Sequence, residues 1–184
     1  MARLLLLVFL TLSAAAADVR FTREPAGKAV VSLVADVSPS ATEPLWIHLH
    51  GATDTVERAF ARLGAPGVLV TLTLPGLSKV YADHFAPPEA FESLLRETTA
   101  IVRRARGGGE WAPAQITVSS FSAGFGGVRQ LLRQPAAFER IGTLVMAIAL
   151  NLPDWICVIT ALMFWNDNSA CPAIRSLIAG APPL

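Results

Sequence analysis

Alternating apolar and polar positions begin early in the chain. Residues 19–23 and 29–37 both read as strands, and Pro25, Ala26 and Gly27 lie between them, so a hairpin is expected. A loop with Ser38, Pro39, Ser40 and Pro44 leads into a third apolar run, residues 45–50, which stops at Gly51. The period then changes to that of a helix. Val56, Ala59, Phe60 and Leu63 fall on one face, Asp54 can cap the helix, Glu57 completes a capping box, and Gly64 ends it. Residues 68–74 form a fourth strand, closed by Pro75 and Gly76. A second helix is expected from about Pro88, with Phe91, Leu94, Leu95, Ile101 and Val102 as its apolar stripe. Arg103, Arg104 and Arg106 suit the negative end of its dipole, and a Gly107–Gly109 run follows.

Residues 116–120 are a fifth strand, and Val128, Leu131 and Leu132 mark a helix that stops before Pro135. Residues 144–147 read as a sixth strand. From the third strand onward strands and helices alternate, which predicts a mostly parallel sheet with helices on both faces, a three-layer α/β/α sandwich. In such sheets sites form at the carboxyl ends of strands. His50 with Gly51, and Ser120 with Ser122, share that edge.

The join between the fifth strand and its helix is the most informative stretch. The β-branched run Ile116, Thr117 and Val118 gives way to Ser119, Ser120, Phe121, Ser122, Ala123 and Gly124. A sharp strand-to-helix turn with small residues two positions either side of Ser122 is the context of a nucleophile elbow. Ser120 and Gly124 let the two backbones approach, and the strained turn lifts the Ser122 hydroxyl clear of the sheet. The Ala123 N–H then points where an oxyanion would form. Ser120 stands where glycine is usual in G-x-S-x-G. The competing readings are a glycine-rich turn without chemistry and an anion-binding turn, the latter opposed by the absence of G-x-G-x-x-G and of a Walker lysine.

Composition narrows the classes. A net charge of +1 leaves no basic field for nucleic acid. No cofactor-binding or metal-ligand spacing is present. Arg3, the apolar run 4–12 and the alanines before Asp18 form a secretory signal over residues 1–17, so a secreted or periplasmic protein is expected. Cys157 and Cys171 could pair in an oxidising compartment, or be two free thiols.

Over residues 45–147 the chain resembles the α/β-hydrolase family, near its secreted esterase-like members. The likeness rests on His50-Gly51 after the third strand, Pro75-Gly76 after the fourth and the serine elbow after the fifth. It implies an α/β-hydrolase fold, a small-molecule ester as substrate and acyl transfer through Ser122. Ala123 would give one oxyanion-hole N–H and the Gly51-Ala52 region the other, with His50 shaping that loop and His48 structural. The family places acid and histidine downstream of the serine. Here His48, His50 and His84 all precede Ser122. His84 lies in the loop after the fourth strand, where packing is its simpler role. Asp154 and Asp167 follow the sixth strand, with no histidine to orient. Loss of the triad histidine costs on the order of 10⁶ in turnover, so weak or no activity is expected. The alternative is a non-catalytic secreted or membrane-associated binding protein on the same scaffold.

Composition shifts after Ala147. Residues 148–184 hold all three Asn, both Cys and five of nine Ile, but one Arg and no Lys. An out-of-frame or mis-joined tail is the first expectation, leaving the hydrolase-like domain, residues 18–147, incomplete at its C-terminal side. The rival is a membrane segment over 144–165, opposed by Asn151, Pro153 and Asp154 at its middle.

Overall fold

The computed structural model describes residues 19–35, 42–152 and 155–164. The signal segment, Asp154, Asp167 and the pairing of Cys157 with Cys171 lie outside what it describes. Among the described residues seven strands form one mixed sheet: β1 (Phe21–Ala26), β2 (Ala29–Val34), β3 (Thr42–Leu49), β4 (Val68–Leu72), β5 (Ala112–Phe121), β6 (Thr143–Leu152) and β7 (Trp155–Phe164). Their order across the sheet is β1-β2-β4-β3-β5-β6-β7. The four strands from β4 to β6 run parallel, while β1, β2 and β7 add antiparallel edges.

The expected hairpin of β1 and β2 is present, but β1 continues through Pro25, which pairs with Val30. Proline is tolerated there because β1 is an edge strand. Five helices connect the parallel strands: α1 (Thr53–Arg62), α2 (Ser78–His84), α3 (Ala90–Ala105), α4 (Phe125–Leu132) and α5 (Pro135–Arg140). Pro135, which ends α4, opens α5 at a position where its missing N–H costs nothing.

Strand alternation sorts the side chains onto two faces. Trp46 and Phe21 meet Phe60 of α1 on one face. Leu45, Ile47 and Leu49 point to the other, into a core shared with Val70, Phe91, Val118, Val128 and Leu131 under α2, α3 and α4. All five residues of β4 are buried, as expected of a strand covered on both sides.

Two readings need correction. Asp54 and Glu57 do not form a capping box; Ala52 occupies the cap position and no side chain bonds there. Both carboxylates turn instead to Arg23 of β1, and Glu57 also accepts from Ser32 Oγ at 2.7 Å. The sixth strand does not stop at Ala147. It continues to Leu152, and β7 pairs with it in register from Thr143↔Phe164 to Leu152↔Trp155. Residues 143–152 and 155–164 are therefore strands, and no helix among the described residues is long and apolar enough to cross a membrane.

Candidate active site

Strand order reverses direction at β3: the chain leaves it for β4 on one side and later returns to β5 on the other. The carboxyl ends of β3 and β5 thus flank a topological switch point, where open α/β sheets bind ligands. Leu49 pairs with Ser120, so His50-Gly51 and Phe121-Ser122 emerge side by side.

Among the described residues, two non-glycine positions have positive φ: His50 at 71° and Ser122 at 45°. Both sit at this switch point. Left-handed backbone disfavours residues with a Cβ and persists where surrounding packing enforces it. For Ser122 the enforcement is visible. A 3-10 turn, Ser122–Gly124, joins β5 directly to α4, and a Cβ on Gly124 would stand 2.1 Å from the Leu49 carbonyl oxygen. Gly126 is equally tight, its Cβ position being 1.9 Å from the Ser78 carbonyl of α2. The elbow is wedged between β3 and α2. Ser120 is buried while Ser122 is exposed. Ala123 stands at the start of the helical segment, where an N–H lacks an intrahelical acceptor.

The neighbouring loop is held by a second set of bonds. The His50 N–H donates to the Leu72 carbonyl at 2.9 Å. His50 Nδ1 hydrogen-bonds the Tyr81 hydroxyl at 2.9 Å, and its ring lies parallel to that of Phe121 with centroids 6.5 Å apart. The Tyr81 oxygen also accepts the Leu74 N–H at 2.8 Å, and burial pushes the phenol above its ordinary range, so it stays neutral. Below His50, His48 bonds Ser119 Oγ at 2.9 Å and the His50 carbonyl at 3.2 Å, and burial holds its imidazole below the ordinary histidine range.

The structure brings Ser122, Ala123, His50, Gly51 and Ala52 to one edge. Among the described residues no hydrogen bond joins His84 to any of them. That ring packs edge-on against Phe85 with centroids 4.8 Å apart, and burial and Lys28 lower its affinity for a proton. No described residue hydrogen-bonds the Ser122 hydroxyl. Tyr81, Thr73 and Ser119 are the contributors that sequence reasoning missed. Tyr81 had a readable signal, its spacing of four from Phe85, both fully buried.

Comparison with protein-family models, curated proteins and solved structures gives no match for this chain.

Proposed function

We propose that the chain is a serine hydrolase of α/β-hydrolase type, exported through its N-terminal segment and directed at a small ester. The observation that carries this reading is the exposed Ser122, held at φ 45° on a strand-to-helix turn pressed against the end of β3. In the step envisaged, Ser122 Oγ bonds the ester carbonyl carbon and loses its proton to solvent. The Ala123 N–H and an N–H of the Gly51-Ala52 loop take the oxyanion, the alcohol departs, and water cleaves the acyl-serine. Without a described base on Ser122, turnover rests on the oxyanion donors and is slow.

The missing partner on Ser122 also favours a second reading, a binding protein that keeps the hydrolase scaffold without its chemistry. A fluorophosphonate probe separates the two, since a serine displaces its fluoride readily only where oxyanion donors stabilise the attack. Covalent labelling of the folded chain, lost in Ser122→Ala, is the expected result. A folded chain that stays unlabelled through prolonged exposure decides for the binding reading.

A further inference from the structure

The His50–Gly51 and Gly51–Ala52 peptide groups are each tied down by a side chain, one from β3 and one from the residue that follows β4. The His50 carbonyl accepts from His48 Nε2, and the Gly51 carbonyl accepts from Thr73 Oγ1. A neutral imidazole carries one N–H. Because a carbonyl can only accept, that proton sits on Nε2, and Nδ1 must accept from the Ser119 hydroxyl 2.9 Å away. In a trans peptide the N–H points opposite to the C=O. The carbonyl drawn onto His48 therefore turns the Gly51 N–H away from His48, and the one drawn onto Thr73 turns the Ala52 N–H away from Thr73. Neither N–H donates to a described residue. Gly51 lies over this support: a Cβ there would be 3.1 Å from His48 Nε2 and 3.1 Å from Val56 Cγ2.

We propose that His48 and Thr73 are positioning residues that aim the second oxyanion donor, with Ser119 fixing the His48 tautomer. The inference rests on the reading of Ser122 as an acylating serine. Its test follows fluorophosphonate labelling over time at several probe concentrations, which separates the limiting rate from the half-saturating concentration. His48→Phe keeps the ring but loses the donor, and should lower the limiting rate at least about tenfold, part of the loss that follows deletion of an oxyanion donor. The half-saturating concentration should stay within about twofold, since the donor acts on the developing oxyanion. His48→Gln can return an N–H to the Nε2 position and should recover to within about threefold of the original rate.

Thr73→Val frees the other carbonyl and should show the same kind of loss, which keeps the test decisive if His48→Phe does not fold. Equal limiting rates in a folded His48→Phe or Thr73→Val variant, or a change confined to half-saturation, overturn the positioning role and leave Ser122 as nucleophile. A parent chain that never labels overturns the nucleophile itself, and the inference with it.

Discussion

The two ends of β3 both gather polar side chains, and they use them differently. At the amino end, Glu43 accepts from Trp111 Nε1 at 2.9 Å and pairs with Arg106; their side chains are 9% and 13% exposed. Side chain meets side chain there. At the carboxyl end, His48, Thr73 and Tyr81 all bond the backbone, at His50, Gly51 and Leu74. That arrangement leaves His50 left-handed and the N–H groups of Gly51 and Ala52 without described acceptors. One strand thus carries a cluster that holds the fold at one end and one that shapes a loop at the other. A buried charge pair is mainly expensive to break. A side-chain donor to a loop carbonyl determines which way that peptide faces.

The contrast is most exposed to test at the amino end. Glu43→Ala leaves the Arg106 cation and the Trp111 N–H buried without their partner, so unfolding free energy should fall by about 3 kcal/mol. Denaturant titration reads the loss. Fluorophosphonate labelling of the folded fraction should keep its original rate, and a slowed rate would show that the two ends are coupled. Gly124→Ala comes next, because the added methyl meets the Leu49 carbonyl, a backbone group that cannot rotate away. A cost of about 1–3 kcal/mol is expected from overpacking, together with slower labelling. An unchanged melting midpoint would mean that the elbow relaxes freely, against the wedge described above.

What the sequence made legible follows the same division. The elbow and the His50-Gly51 turn were readable because their signals are local: a β-branched run, then small residues, then helical spacing. The α/β alternation was readable for the same reason. Helix α2 was hidden because its seven residues sit between Pro75-Gly76 and Pro87-Pro88, and such punctuation reads as loop. Asp54 and Glu57 matched a capping box, but Arg23, which is 31 residues from Asp54, competes for both carboxylates once β1 is in place. Thr73 and Ser119 carry no motif, because their value depends on which backbone groups the sheet places beside them. The compositional break at Ala147 falls inside β6 rather than at an element boundary.

The smallest expected effect concerns acid. Burial holds His48 below the ordinary histidine value of 6.5, outweighing the bond to the His50 carbonyl, which acts the other way. The unfolded chain therefore binds a proton near 6.5 that the native imidazole resists. Stability that is fully present above that pH declines as pH falls from 6.5 toward the lowered native value. His84, lowered mainly by its own burial, acts in the same direction. Glu57 enters later. Burial raises its pKa, but the bonds from Arg23 and Ser32 outweigh that and hold it below 4.5, so its contribution is lost as pH falls through 4.5 and below. Denaturant titrations at pH 7.5 and 5.5 isolate the histidine step. The drop between them should be smaller in His48→Gln, which has nothing to protonate, and unchanged in Glu57→Gln. A His48→Gln chain that loses as much as the parent would assign the acid step elsewhere and remove the neutral imidazole from the account of the loop.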